Sequence, residues 1–278
     1  MVWGGVSIGE DDQFKKVSQA DRDKIEKAAP QKAPAEPKKE RRVLVFSKTK
    51  GFRHSSIEHG VIAFETLGKK SKAFTIEHSE DEAAFTEENL KRFDAVVMMN
   101  TTGNLFEDEA KRKAFSGFVK GGGGLIGVHS ATDTCYNWKE YGEMMGGYFD
   151  GHPWHEDVTL KVEDPAHPCS KAFAEDTFVI KDEIYQYKEE PYSRDKVRVL
   201  LSLTEGTNLK KGGMKRKDGD YAVGWVRKYG EGRVFYCNLG HREETFWNPV
   251  VLEHFLSGIQ FAMGDLEGDT TPSGAKAP

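Results

Sequence analysis

Apolar runs alternate along the chain with segments whose apolar residues recur at helical spacing. The runs VLVFS, FTIEH, DAVVMMN and GLIGVH occupy residues 43–47, 74–78, 94–100 and 124–129. Their continuous hydrophobicity is typical of strands buried on both faces. Helical patterns cover 54–68, 107–122 and 248–263, and Gly68 is expected to stop the first of them. Strands that alternate with helices predict βαβ units and a mainly parallel sheet flanked by helices.

The second half of the chain is richer in strand patterns than in helices. Further candidate strands occupy 157–164, 196–203, 221–230 and 232–240, with glycine-containing turns between several of them. Closely spaced strands without intervening helices favour antiparallel pairing. We therefore expect an α/β domain over residues 43–265 whose parallel sheet carries antiparallel additions.

Both ends of the chain differ in character from this domain. Residues 1–42 hold few apolar positions, and PQKAPAEPKKERR alternates proline with charge, which is typical of an extended linker. We expect this extension to have little structure and to be dispensable for folding. The tail 266–278 is predicted to be disordered.

Composition and charge exclude several classes of function. The 278 residues carry a net charge of −5, and the basic clusters at 38–42 and 210–217 are interpreted as solvated loop charge. A nucleic-acid partner is therefore not expected. No apolar run approaches the roughly 18 residues of a membrane span.

The first residues lack the apolar core of a signal peptide, so the protein is either cytoplasmic or exported after removal of a signal. The three cysteines show no zinc-binding spacing.

Polar residues follow the predicted strands at their carboxyl ends. His54, Asn100 with Thr101, His129 and His241 all come shortly after a candidate strand. Carboxyl ends of strands in a doubly wound sheet line one crevice, where ligands bind. His152, His155, Asp182 and Glu183 lie in polar segments between these strands. The pattern predicts one polar site at this edge of the sheet.

Other histidines and motifs have ordinary structural explanations. His59, His78, His167 and His254 are interpreted as hydrogen-bonded structural residues. The glycines at 121–124 precede a strand, whereas a nucleotide-binding loop needs its glycines after one, so no nucleotide cofactor is expected. Ser130 lacks the flanking glycines of a nucleophile elbow, and the chain has no HExxH metal motif.

Several stretches together resemble the ThuA-like (trehalose utilisation) family. They are VLVFSKTKGFRHSS (43–56), GGGGLIGVHSATD (121–133), WKEYGEMMGGYFDGHP (138–153), HP (167–168), DEIYQY (182–187) and YGEGRVFYCNLGHREETF (229–246). The resemblance spans about residues 43–263. It implies a flavodoxin-like sheet similar to that of class I glutamine amidotransferases. His129 stands where an amidotransferase carries its cysteine nucleophile, so glutamine hydrolysis is not expected.

The resemblance also implies a role in sugar metabolism, on a keto-sugar or 3-keto-glycoside, by hydrolysis, elimination or isomerisation. By motif position it assigns functional roles to His54, His129, His152, Glu183 and His241. We expect His54, His129 and His241, with His155 in reserve, to hold a divalent metal such as zinc, manganese or iron. His129 and Glu183 are the expected catalytic residues, with Glu183 as the base.

The sugar itself is expected to contact Asn100, Thr101, Trp138, Tyr185 and His152. The alternative is a non-catalytic carbohydrate-binding or scaffolding domain, whose histidines would only donate hydrogen bonds to sugar hydroxyls. The oligomeric state is left open, with a homo-oligomer as one option.

Overall fold

A computed structural model describes residues 12–204 and 208–274 of the chain. Within this part, nine strands form one sheet in the order β2-β1-β3-β4-β9-β8-β7-β5-β6. The strands are β1 Arg42–Phe46, β2 Thr75–Ser79, β3 Ala95–Met99, β4 Gly124–Val128, β5 Trp154–Val162, β6 Thr177–Ile184, β7 Arg198–Leu203, β8 Ala222–Tyr229 and β9 Gly232–Cys237. The first five in the order are parallel, and the remaining contacts are antiparallel. The predicted fold class is confirmed.

The central strands bury both of their faces, which explains their continuous hydrophobicity. Val43 and Val45 of β1 enter one apolar cluster, whereas Leu44 and Phe46 enter another on the opposite side of the sheet. Strands β1, β3 and β4 are consecutive parallel neighbours, as predicted. This arrangement brings their carboxyl ends to one edge.

Six α-helices accompany the sheet in the described part of the chain. They are α1 Gln19–Ala28, α2 Ile57–Ser71, α3 Glu87–Leu90, α4 Glu109–Lys120, α5 Lys139–Met145 and α6 Pro249–Ala262. Buried residues of α2 and α6 join the first cluster, and those of α3, α4 and α5 join the second. Among the described residues, no helix is long and apolar enough to cross a membrane.

Two local predictions are corrected by packing. Gly68 does not stop α2, which continues to Ser71. A Cβ at Gly68 would lie 2.5 Å from the Phe74 carbonyl oxygen, so glycine is needed there for close packing. Strand β6 was not predicted, because Lys181, Asp182 and Glu183 interrupt its apolar pattern. It is the edge strand of the antiparallel region, where one face meets solvent.

The described part of the N-terminal extension packs on the domain, contrary to the expectation of little structure. Phe14, Val17 and Ile25 are 1%, 3% and 0% exposed and belong to the first apolar cluster. Ser18 caps the N-terminus of helix α1, and its side chain accepts a hydrogen bond from the Asp21 amide. A few well-placed apolar residues therefore anchor a segment of polar composition. Residues 1–11 lie outside the described part.

The tail is also ordered as far as Gly274. The Ser273 amide donates to the Val197 carbonyl at 3.0 Å, and the Val199 amide donates to Ser273 Oγ at 2.9 Å. The tail thus runs along β7 and satisfies backbone groups there. The predicted disorder is wrong for residues 266–274, and residues 275–278 lie outside the described part.

His254 lies in the apolar core beneath the sheet. It is fully buried on α6, and its Nδ1 contacts the Cys169 carbonyl oxygen at 2.6 Å. Burial lowers the pKa of His254 to about 4. An imidazole that is neutral when folded and protonated when unfolded destabilises the fold as the pH falls.

We expect His254→Asn to show this coupling. Asparagine retains an N–H donor toward Cys169 but does not titrate. His254 contributes stability fully above its unfolded pKa near 6.5 and loses it as the pH falls toward 4. Between about pH 7 and pH 5 this loss amounts to about 2 kcal/mol. Denaturant unfolding should therefore show that the difference in unfolding free energy between the unmodified protein and the variant is smaller by this amount at pH 5 than at pH 7. A deficit that stays constant with pH would contradict the lowered pKa.

Candidate functional site

The carboxyl ends of five strands meet at one edge of the sheet. Strands β1, β3, β4 and β9 are parallel, and β6 runs in the same direction after four antiparallel pairings. The residues that follow these strands, together with Glu183 near the end of β6, therefore converge. This edge contains His54, Asn100, His129, Glu183 and His241.

His129 occupies a sharp turn directly after β4. Its φ is +46°, in the left-handed region, where non-glycine residues are uncommon. Its Nδ1 contacts the Asn238 carbonyl oxygen at 2.7 Å, which requires the proton on Nδ1. The Nε2 lone pair is then free to point away from that carbonyl. Such a strained turn is typical of a residue presented to a functional site.

Three other side chains surround His129. The His54 ring lies 4.8 Å from the His129 ring and 5.0 Å from the His241 ring, measured between centroids. Glu183 Oε2 lies 3.6 Å from His129 Nε2 and 3.1 Å from His241 Nδ1. We call His54, His129, Glu183 and His241 the His/Glu cluster.

The four residues of the His/Glu cluster lie close enough together to hold a metal ion. Each of the four residues offers one nitrogen or oxygen as a ligand atom, and these four atoms all lie within 4.8 Å of one another. His129 Nε2 and His241 Nδ1 are buried without a hydrogen-bond partner. Buried polar atoms normally have partners, so two such nitrogens in one cluster need an explanation. A divalent cation could be held here.

The surroundings of His54 keep its imidazole neutral, and those of Glu183 keep its carboxylate charged. Burial, with the nearby His129 and His241, lowers the pKa of His54 to about 2. For Glu183, burial disfavours ionisation, but the adjoining His129 and His241 outweigh it and lower its pKa. A neutral imidazole and an ionised carboxylate are the forms that bind a metal.

Asp182 fixes the loop that carries His241. This buried carboxylate accepts hydrogen bonds from the amides of Gly240 and Arg242, at 2.8 and 3.1 Å, and from Thr245 Oγ1 at 2.9 Å. It therefore holds the backbone on both sides of His241. Since Glu183 is the next residue along β6, one dipeptide supplies both a cluster member and its support.

A second set of hydrogen bonds holds the same loop from the other side. Asn100 Nδ2 donates to the Gly240 carbonyl oxygen at 2.8 Å, and Ser56 Oγ donates to it at 2.7 Å. Gly240 has φ +131°, a conformation that favours glycine. Side chains from two parallel strand ends thus converge on one carbonyl.

The family model for ThuA, described as trehalose utilisation, matches residues 42–262. The chain belongs to the ThuA family. The recognition made from the sequence motifs is confirmed, and with it a general connection to sugar metabolism.

Solved structures agree with this ThuA assignment. A ThuA-like protein from Bacteroides uniformis is 25% identical, with a TM-score of 0.65 over 82% of this chain and 92% of its own. A ThuA-like protein from Parabacteroides merdae is 17% identical, with a TM-score of 0.63 over 83% and 93%. A cytoplasmic protein from Salmonella typhimurium shares the fold at 15% identity, with a TM-score of 0.53 over 79% and 98%. Among curated proteins, no sequence matches this chain.

Three further predicted residues lie beside the cluster of this ThuA-family chain. His152 Nδ1 is 3.2 Å from Glu183 Oε1, and its side chain is 55% exposed. The Tyr185 ring lies 4.4 Å from the His129 ring. The His155 ring lies 4.7 Å from the His241 ring, but His155 is not part of the four-residue set.

Three other residues predicted to contact a sugar are buried and used elsewhere. Asn100 supports Gly240, and Thr101 Oγ1 pairs with Thr134 Oγ1 at 2.9 Å. Trp138 packs in an aromatic cluster against Phe106. Asn100 and Thr101 are 0% exposed, so we do not propose that they contact a sugar. The same applies to Trp138, which is 7% exposed.

Sequence reasoning missed several residues of this region. Asp182 was noted only as acidic, and Asn238, whose carbonyl orients His129, was not singled out. Phe52 was also missed, although its ring lies 4.8 Å from the His54 ring. Two adjacent acids in a strand were the available signal, because one of them must face the opposite side of the sheet from the other.

Proposed function

We propose that this chain is an enzyme of sugar metabolism that acts on a keto-sugar or 3-keto-glycoside with a divalent metal at the His/Glu cluster. The observation that carries the proposal is the convergence on Glu183 Oε2 of His129 Nε2 and His241 Nδ1, which are both buried and make no hydrogen bond of normal geometry. The family's description as trehalose utilisation supports a sugar substrate.

The distances within the cluster support a shared ion. Ligand atoms in a tetrahedral zinc site with bonds of about 2.1 Å lie about 3.4 Å apart. Glu183 Oε2 lies 3.1 Å from His241 Nδ1 and 3.6 Å from His129 Nε2, on either side of that value. Three imidazoles and a carboxylate suit zinc, manganese or iron. When bound, such a metal supplies Lewis-acid polarisation of a sugar carbonyl.

The protein's own groups would orient the substrate and move protons. Elimination and isomerisation of a keto-sugar both begin with the removal of a proton from the carbon next to the carbonyl, and hydrolysis of a 3-keto-glycoside follows the same route when elimination of the aglycone is followed by addition of water. Glu183 Oε2 lies between His129 Nε2 and His241 Nδ1, so we assign Glu183 as a ligand and not as the base expected from the sequence. His152 is a half-exposed imidazole whose Nδ1 lies 3.2 Å from Glu183 Oε1, and histidine is the side chain that most often transfers protons in enzymes. We assign His152 to proton transfer.

Metal analysis and a turnover assay on 3-keto-trehalose or a 3-keto-glucoside test this proposal. We expect bound metal in the purified protein, and turnover that is lost on chelation and restored by adding metal. Glu183→Gln should lower metal content and turnover together. His152→Gln should keep the metal but reduce turnover by at least about 100-fold, the low end for a positioned acid–base group.

Two outcomes would contradict the assignment. A metal-free protein that binds trehalose without converting its keto derivative would favour a carbohydrate-binding module. Full metal content in Glu183→Gln, with turnover lost, would return Glu183 to the role of base.

A further inference from the structure

Phe52 is an exposed aromatic residue at the edge of the His/Glu cluster. Its side chain is 65% exposed, whereas large apolar side chains in the described part of the chain are mostly buried. Its ring meets the His54 ring edge-on at 4.8 Å. Single exposed apolar residues are common on protein surfaces and need no explanation by themselves. The position beside a cluster residue, together with the rigidity of the loop, distinguishes Phe52 from such residues.

The backbone at Phe52 is fixed by the turn after β3. Thr102 Oγ1 donates to the Phe52 carbonyl oxygen at 2.8 Å and accepts from the Gly51 amide at 3.2 Å. The Lys50 amide donates to the Thr102 carbonyl oxygen at 2.9 Å. Thr102 itself is completely buried. The exposed ring is therefore presented on a preorganised backbone, which lowers the entropic cost of binding a ligand there.

Exposure rises from the cluster toward Phe52. His129 is 0% exposed, His54 is 4% exposed, and Phe52, on the next ring contact, is 65% exposed. A sugar whose carbonyl reaches the cluster would extend outward from this closed end. Phe52 is therefore the exposed end of a series of ring contacts that begins at the buried His129.

Polar groups accompany the aromatic ring in the chain. Arg53 follows Phe52, is partly exposed, and pairs with Glu58 Oε1 at 3.0 Å and with Glu80 Oε1 at 2.9 Å. An exposed planar apolar ring with charged groups nearby in the chain is suited to a pyranose, which has an apolar C–H face and a rim of hydroxyls.

We propose that Phe52 is a stacking platform for the sugar ring adjacent to the one that reacts at the His/Glu cluster. The residue thereby selects keto-glycosides of two or more rings over keto-glycosides of a single ring. This inference rests on the proposed function, because it takes the cluster as the reacting centre.

Phe52→Ala tests the platform against Phe52→Trp and Val179→Ala. Val179 is another exposed apolar residue, at 63%, and lies on β6 away from the loop of Phe52. We expect Phe52→Ala to raise KM for 3-keto-trehalose about tenfold with little change in kcat, and to leave the kinetics on a methyl 3-keto-glucoside unchanged. Phe52→Trp and Val179→Ala should resemble the unmodified protein.

Saturation-transfer NMR with trehalose gives a readout that does not depend on turnover. Contact between the trehalose C–H protons and the protein should weaken in Phe52→Ala and persist in Phe52→Trp. Equal kinetics and equal saturation transfer in Phe52→Ala and the unmodified protein would overturn the platform while leaving the proposed function intact. Phe52-dependent trehalose binding without any turnover would support the platform and refute the enzyme assignment.

Discussion

His129→Ala is expected to lower turnover by at least about 100-fold and to reduce metal content, while the protein remains folded. His129 is fully buried, and its Nε2 has no hydrogen-bond partner apart from what the cluster would bind. The short hydrogen bond that its side chain would lose, from Nδ1 to the Asn238 carbonyl oxygen, is worth only about 1 kcal/mol. Loss of the side chain therefore removes far more function than stability.

The stability of the metal-free protein gives a second measurement of the role of His129. Several imidazoles and a carboxylate crowd one confined space, and functional sites of this kind are held at a cost to stability. We expect the free energy of unfolding of the metal-free variant to lie within about 1 kcal/mol of that of the metal-free parent, or above it. Added metal should stabilise the parent and not the variant, because an ion that binds only the folded state shifts the unfolding equilibrium.

His254→Asn is the matched control for His129→Ala. His254 is also a fully buried histidine whose Nδ1 contacts a carbonyl oxygen, but it lies outside the His/Glu cluster. Its replacement should change stability and its pH dependence without changing metal content or turnover. A His129→Ala protein with full metal and full turnover would refute the functional assignment of the cluster.

The parallel half of the sheet could be predicted because it is buried on both faces. Residues of β1, β3 and β4 have no polar interruption, so a short apolar run identifies each strand. The rule that ligands bind at carboxyl ends then places His54, His129 and His241 together without coordinates. Glu183 was selected through its motif, although the strand that positions it was missed.

The supporting residues could not be predicted in the same way, because their roles depend on tertiary pairing. Asn100 follows β3 at the expected edge, yet its amide donates to Gly240, 140 positions later in the chain. Trp138 resembles a sugar-stacking residue in sequence, but it packs against Phe106 in the core. Polar or aromatic type identifies candidates for a site, whereas the partner of each side chain decides between contact with a ligand and support of the backbone.

The N-terminal segment shows how few residues decide whether a polar segment packs. Phe14, Val17 and Ile25 are spread over a stretch rich in charge, so composition indicates a solvated linker. In the structure the Phe14 ring meets the His78 ring of β2 at 5.2 Å, and Arg22 Nη2 donates to the Phe14 carbonyl oxygen at 2.6 Å. The segment covers residues of the edge strand and of α2.

Removal of residues 1–29 is therefore expected to destabilise the domain. Composition predicts that the whole extension is dispensable for folding, but each buried apolar side chain contributes about 1.5–3 kcal/mol by leaving water. Part of this gain is offset by the entropy of ordering the segment, so the truncated chain should lose less free energy of unfolding than the sum of these side-chain contributions.

Phe14→Ala separates side-chain burial from the entropy of ordering, because it keeps the ordered backbone and should cost about 3–5 kcal/mol. Lys27→Ala, an exposed position on α1, is the control and should change stability by less than about 0.5 kcal/mol. Chemical denaturation of the three variants measures these differences, and an unchanged unfolding midpoint in both the truncated chain and Phe14→Ala would show that the segment contributes nothing to the fold.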